Sequence, residues 1–75
     1  MKYPTVIEVE AANHVQLARW YRFLDSPGMS AIDTPGRFQD VIEHESIIMT
    51  RIERRFNDMG GFTPEISKQI GWIER

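Results

Sequence analysis

The sequence contains no cysteine, and its 75 residues include only two histidines. A chain without thiols has no disulfide framework and no thiolate zinc site, and two imidazoles are too few for a convincing transition-metal centre. No apolar run approaches the roughly 20 residues that a membrane-spanning helix requires, and no signal-peptide pattern is present. We therefore expect a cytoplasmic protein that carries no metal, no cofactor and no membrane segment.

Basic residues are in slight deficit, because nine Lys and Arg stand against eleven Asp and Glu and give a net charge of −2. A general nucleic-acid or anionic-membrane binder usually carries a basic surplus. Arginines are nevertheless grouped along the chain, at Arg19 and Arg22 and again at Arg51, Arg54 and Arg55. These five are the candidate phosphate contacts of an alternative function, that of a nucleic-acid-binding accessory protein.

Motifs that support catalysis are missing as well. His44 and Glu45 resemble the start of a zinc-binding helix, but the position of the second histidine is occupied by Ile48. The serines lie in turn or helix contexts without a nucleophile elbow around them. The sequence therefore offers no catalytic residue, and we expect that the protein is not an enzyme.

The length of the chain predicts a single domain, residues 1–75, with a small core. A chain of this size buries only about 60 to 65% of the surface that its unfolded state exposes. Ordering it costs roughly 110 kcal/mol, and a fully buried large apolar side chain returns only about 1.5 to 3 kcal/mol. The net stability is marginal, so self-association is a reasonable supplement.

The stretch 34–59 is the longest amphipathic segment, and the rest of the chain is expected to pack against it. Thr34 is a suitable N-cap with Pro35 at the first helical position, and Gly60-Gly61 supplies a left-handed C-terminal cap. Apolar residues recur at intervals of three, four or seven on one side of this helix: Phe38, Val41, Ile42, Ile48, Met49, Ile52, Phe56 and Met59. That apolar face requires a partner.

Two residues depart from this pattern. Glu45 falls within the apolar stripe, whereas Ile47 points to the opposite, charged side. A polar residue in an apolar seam is destabilising unless it is paired, and its best-attested use is to fix register or partner choice. We expect Glu45 to lie near the edge of the stripe or to pair with an arginine, with Arg19 and Arg22 as candidates. Ile47 is expected to be an ordinary exposed residue or part of a second contact.

Two short helices are predicted before the long one. A capping box at Thr5 opens a helix over residues 5–12, and an asparagine cap at Asn13 opens a second helix over residues 13–24. The alternative is one continuous helix that bends near Asn13. The residues before Thr5 are expected to form a loose start.

A connector and a terminal helix complete the prediction. A Ser-Pro-Gly sequence ends the second helix. The following residues Met29, Ala31 and Ile32 are expected to pin the connector against the core. After the long helix, Thr63 and the proline that follows it predict a short helix over residues 63–70.

Four segments carry a resemblance to known proteins: residues 17–24 (LARWYRFL), 26–28 (SPG), 60–68 (GGFTPEISK) and 70–72 (IGW). In these segments the chain resembles a group of small uncharacterised helical proteins encoded by bacteriophages and prophages. The resemblance covers most of the chain and implies a phage-type gene product that acts in the bacterial cytoplasm or in a virion. No activity and no functional residue comes with it.

These observations predict an all-α domain in which the long helix packs against an N-terminal helical pair and a short C-terminal helix. The predicted function is a non-catalytic protein-interaction module that binds a protein partner or itself, as a homodimer. Its candidate contact residues are Ile47, Glu45 and Trp72. For Trp72 the sequence leaves two alternatives open, docking on the core or exposure as an apolar tail.

Overall fold

A computed structural model describes residues 2–34 and 36–71, and the regular elements within them are all helical. These elements are α1 (Val6–Ala11), α2 (His14–Phe23), α3 (Phe38–Asp58) and α4 (Pro64–Gln69). A single 3₁₀ turn, Met29–Ala31, lies in the connector between α2 and α3. The prediction of an all-α fold with one long helix and a short C-terminal helix is confirmed.

Side-chain caps define the first two helices as predicted. The Glu8 amide donates to the Thr5 hydroxyl at 3.1 Å, and the Thr5 amide donates to the Glu8 carboxylate at 2.8 Å. The Gln16 amide donates to the Asn13 side chain at 2.8 Å, which starts α2. Between the helices, Ala12 has an extended backbone with ψ of 150°. The chain therefore breaks at this point, and one continuous helix is excluded.

The long helix begins later than predicted. Its first residue is Phe38, and Arg37 precedes it without a side-chain cap. Gly36 has φ of +90°, in the left-handed region, and so interrupts any right-handed helix that would start before it. The Arg37 amide donates to the Thr34 carbonyl at 3.2 Å, which makes Thr34 part of a turn rather than the N-cap. Pro35 lies outside the described residues.

Two consecutive glycines end α3 as predicted. Gly60 and Gly61 have φ of +111° and +63°. Their amides donate to the carbonyls of Asn57 and Phe56 at 3.0 and 2.9 Å, which satisfies acceptors that the last helical turn leaves open. Thr63 then caps α4 with its hydroxyl, and a proline occupies the first helical position. The start of α4 is thus confirmed.

α1 and α3 run in the same direction, and α2 returns antiparallel to both. Tyr3 lies near Glu45, and seven residues later Glu10 pairs with Arg51. The start of α2 lies instead at the end of α3, where the His14 Nε2–H donates at 2.8 Å to a carbonyl just beyond the helix. In chain order α1, α2 and α3 therefore form an up-down-up arrangement.

The core lies between α2 and α3, with α1 and α4 covering its sides. Its most deeply buried side chains come from three helices: Val9, Leu17, Ala18, Ile48, Ile52 and Phe56. The Phe56 ring is in contact with the rings of His14, Tyr21 and Phe62, at centroid distances of 5.4, 5.2 and 4.7 Å. Tilted and edge-to-face pairs of this kind add to the stabilisation from burial alone.

The connector packs differently from the prediction. Ala31 is buried, but Met29 and Ile32 are 50% and 60% exposed. Contact with α3 is made instead by Gly28, where an added Cβ would lie 3.0 Å from the Phe38 ring. The backbone of the connector therefore rests directly on α3 at Gly28, while the side chains of Met29 and Ile32 face solvent.

The molecule is thin. Its Cα extents are 42 × 28 × 14 Å, and its radius of gyration is 13.4 Å. A compact globule of this length would have a radius of gyration of about 11 Å. Two helix layers fill the shortest dimension, since packed helix axes lie about 8 to 10 Å apart. One side of α3 is consequently left facing solvent.

Candidate functional site

The outward side of α3 is the candidate functional surface, called here the Ile47 face. It consists of exposed side chains that follow one another at intervals of three or four residues: Asp40, Glu43, Ile47, Arg51, Arg54 and Asp58. The helical period places these residues opposite the buried Ile48, Ile52 and Phe56. The face therefore follows directly from the burial of the other side of the helix.

Ile47 is the apolar centre of this face. Its side chain is 62% exposed, and it lies one residue from the middle of the 21-residue helix. Asp40 and Glu43 precede it on the face, and Arg51, Arg54 and then Asp58 follow it. An apolar side chain surrounded by charged ones is the usual make-up of a small contact site with a polar rim.

A shallow groove of about 650 Å³ runs beside Ile47, between α3 and the end of α1. Its walls include Glu10 from α1 and Arg54 and Asp58 from α3. Ile47 contributes the large apolar surface, and the remaining lining is polar or charged. The groove can hold a side chain from a protein partner, because it offers both an apolar floor and charges of either sign.

Arg51 forms one wall of the groove by bridging two helices. Its Nη1 lies 3.0 Å from Glu10 Oε2, and the two side chains are 52% and 50% exposed. A pair this open to water contributes only about 0 to 1 kcal/mol to stability. Its main effect is to orient α1 beside α3.

Arg55 has a structural role. Its Nη1 donates to the carbonyls of Val9 and Ala12, at 2.7 and 2.9 Å. Both carbonyls lie at the C-terminal end of α1, where a helix leaves acceptors open, and the Val9 carbonyl also accepts the Ala12 amide at 3.3 Å. The guanidinium thus fastens α1 to α3, and this use removes Arg55 from the set of residues available to hold phosphate.

The other predicted phosphate contacts lie apart. Arg22 stacks over the Phe23 ring at 5.3 Å from its centroid, and Arg19 is exposed on the same helix, α2. Neither belongs to the groove lining, whereas Arg54 does. The structure therefore does not join the α2 arginines and the α3 arginines around one groove.

Glu45 is held by the connector. One carboxylate oxygen accepts the Gly28 amide at 3.0 Å, and the other accepts the Ser30 hydroxyl at 3.5 Å. The side chain is half-buried. Its hydrogen bonds come from a loop, where the sequence pointed to Arg19 or Arg22. Glu45 and the Ile47 face are on different sides of α3.

Sequence reasoning missed the polar cluster next to Glu45. The Tyr3 hydroxyl donates to the Asp25 carbonyl at 2.6 Å, and Pro4 is buried, so the start of the chain is anchored rather than loose. Burial, with smaller contributions from the charges of Glu45 and Asp25, raises the pKa of Tyr3 to about 12. An aromatic residue and a proline directly before the first capping box were the available signal.

Other classes of site find no support in residues 2–34 and 36–71. No group of three or more His, Asp or Glu side chains there could hold a metal ion. The helices of the same residues include none that is both long and apolar enough to cross a membrane. Trp72, the third predicted contact residue, lies outside the described part of the chain.

Comparisons of the chain with models of protein families, with curated proteins and with solved structures found no match.

Proposed function

We propose that the chain is a non-catalytic protein-interaction module whose docking surface is the Ile47 face. The observation that carries this proposal is the position of Ile47, 62% exposed at the middle of α3 and beside an open groove. In the isolated chain most of this side chain remains in water. Burial of the exposed part of this isoleucine by a partner would gain about 1 to 2 kcal/mol.

The biological setting in this proposal is that of a phage or prophage gene product acting in a bacterial cell. It is supported by the resemblance of residues 17–24 and 60–68 to such proteins. Small adaptor or inhibitor proteins need a folded scaffold and one contact surface, and the exposed Ile47 on the long helix supports this assignment. The groove also has the mixed charge that favours a specific protein partner over a uniformly charged polymer.

A photo-crosslinking amino acid at position 47 tests the proposal directly. The matched control carries the same group at position 19, which is exposed on α2 and outside the face. We expect a covalent adduct from position 47, either in the purified protein or in a bacterial extract, and none from position 19. Absence of an adduct at position 47 under both conditions would contradict the proposal.

Substitution of Ile47 separates a contact role from a folding role. Ile47→Lys should change the free energy of unfolding by no more than about 0.5 kcal/mol, because the side chain is mostly exposed. It should also abolish association, because an ammonium group would have to enter the contact. Ile32→Lys is the control, since Ile32 is 60% exposed but lies in the connector. A loss of stability in Ile47→Lys with association intact would assign Ile47 to the fold.

Trp72→Ala is expected to act in the same direction as Ile47→Lys. The proposal assigns Trp72 to the contact, so the substitution should weaken association more than it lowers the midpoint of a urea melt. A large fall in the midpoint together with unchanged association would instead assign this side chain to the core.

A further inference from the structure

The charges on the Ile47 face are arranged with opposite signs about Ile47. Asp40 and Arg54 each lie seven residues from it, on opposite sides. Glu43 and Arg51 each lie four residues from it. A rotation of α3 by 180° about an axis through Ile47 and perpendicular to the helix therefore brings Asp40 onto Arg54 and Glu43 onto Arg51, whereas Asp58 has no counterpart within α3.

The outer pair of these charges has no partner within the described residues. Neither the Asp40 carboxylate nor the Arg54 guanidinium forms a hydrogen bond or an ion pair with another residue in ranges 2–34 and 36–71. Arg51 is already in contact with Glu10, and Glu43 accepts a hydrogen bond from Gln39 at 3.4 Å. Asp40 and Arg54 are thus the symmetric pair of charges that remains for an external partner within the described residues.

We propose that the occupant of the Ile47 face is a second copy of this chain, bound with the two α3 helices antiparallel. This inference rests on the proposed function and specifies its partner. The two-fold axis passes at Ile47, so the two Ile47 side chains meet there and Asp40 of each copy faces Arg54 of the other. A parallel pairing would place like charges opposite each other, and antiparallel α3 helices also align their dipoles favourably.

The size of the face determines the strength of this dimer. A helix of 21 residues is about 31 Å long and about 10 Å wide, so one helix face offers about 300 Å² per copy. A stable complex buries about 800 Å² per partner. The α1 wall of the groove adds to the contact area, but the total stays below about 800 Å² per copy. We therefore expect a transient dimer with a dissociation constant on the order of 100 µM.

Charge-reversal variants test the register. Sedimentation equilibrium of the wild-type chain between about 10 µM and 1 mM should show a monomer–dimer equilibrium. Asp40→Arg and Arg54→Glu should each weaken self-association at least about tenfold. The contact between positions 40 and 54 occurs on both sides of the two-fold axis, so each substitution creates two pairs of like charges. An equimolar mixture of the two single variants should form a heterodimer, since both contacts then join opposite charges. The double variant should dimerise like the wild type.

Arg19→Glu provides the matched control, since it makes the same change of charge on α2 and should leave the dimer unchanged. Thermal melts establish that each variant folds. If a reversal variant unfolds, Asp40→Asn and Arg54→Gln replace it, and each should weaken the dimer several-fold. A dimer that persists in both single variants, or a mixture that stays monomeric, would overturn the proposed register.

A wild-type chain that remains monomeric up to about 1 mM would overturn the second copy as the partner. The photo-crosslinking experiment then distinguishes the two proposals. An adduct from position 47 to a different protein retains the Ile47 face as a docking surface and identifies another occupant. No adduct from that position removes the docking surface as well.

Discussion

Glu45 shows how a single residue can depart from a helical pattern for a local reason. Its carboxylate lies among apolar residues of α3 because the connector backbone passes directly above it. The Gly28 amide is buried and has no helical acceptor, and Glu45 supplies the oxygen. The sequence shows the departure from the pattern, but it does not identify the donor. Loop backbone has no periodicity from which its position could be inferred.

Replacement of Glu45 tests this role. Glu45→Leu should lower the free energy of unfolding by about 1 to 2 kcal/mol, because the Gly28 amide loses its acceptor in a half-buried site. Glu45→Gln keeps an acceptor oxygen and should cost less than about 1 kcal/mol. Urea unfolding monitored by circular dichroism measures both. Equal stability of Glu45→Leu and the wild type would show that water replaces the carboxylate without penalty.

Tyr3 makes stability depend on pH at the alkaline end. Its pKa is about 12 in the folded chain and 10.0 ordinarily, so the folded state retains the proton over this interval and the unfolded state releases it. The stabilisation from Tyr3 is therefore complete below pH 10 and is lost as pH rises from 10 to 12. Tyr3→Phe removes this dependence.

Urea melts of the wild type and Tyr3→Phe across this pH range provide the measurement. Below pH 10, Tyr3→Phe should be less stable by about 1 kcal/mol, because the hydrogen bond to the Asp25 carbonyl is absent. Above pH 10 the wild-type curve should fall toward that of Tyr3→Phe and then below it, because the rise in pKa from 10.0 to about 12 represents more free energy than the hydrogen bond. Parallel curves across the whole range would mean that Tyr3 titrates alike in the folded and unfolded chains.

The helix ends show which elements can be predicted from sequence. Thr5, Asn13 and Thr63 cap helices through contacts that span three residues, and a signal this local is fully contained in the sequence. The Thr-Pro pair that begins at Thr34 has the same pattern, but α3 does not start there. Two residues later, Gly36 adopts φ of +90°, and the connector uses the turn to place itself on α3. Tertiary contact overrides the local signal at that point.

Arg55 is expected to stabilise the folded form of α1 through its hydrogen bonds to the end of that helix. A helix of six residues is too short to be stable alone, and Arg55 supplies donors to two of its carbonyls. Arg55→Met should destabilise the chain by about 1.5 to 3 kcal/mol and increase amide hydrogen exchange in α1. Arg54→Met, one residue earlier and exposed, is the matched control and should stay within about 0.5 kcal/mol of the wild type.

Hydrogen exchange separates this explanation from a general loss of stability. The protection of α1 amides in Arg55→Met should fall well before that of α2 and α3, because α1 can open without exposing the contact between the other two helices. A uniform decrease across all helices would indicate that α1 and the core unfold as one unit.

For the whole molecule, thinness connects the fold with its proposed function. Two helix layers whose Cα atoms extend over only 14 Å cannot surround α3, so the outward side of that helix stays in solvent. Periodicity predicted which residues lie there, and Ile47 was identified on that basis. The groove was not predictable, because it depends on an ion pair between Glu10 of α1 and Arg51 of α3. These two residues are 41 positions apart in the sequence, and no local pattern links them.

The charge distribution over the whole surface argues against the alternative function. Phosphate binding requires several cationic side chains free to release counterions. Arg55 is committed to the α1 carbonyls, Arg51 is in contact with Glu10, and the groove that holds both also contains Asp58. Because the chain also carries a net charge of −2, we expect that it causes no gel shift of single-stranded or duplex DNA at low salt and about 10 µM protein. A shift that weakens steeply with added salt, and that disappears in Arg19→Ala or Arg54→Ala, would restore the nucleic-acid hypothesis in place of the interaction module.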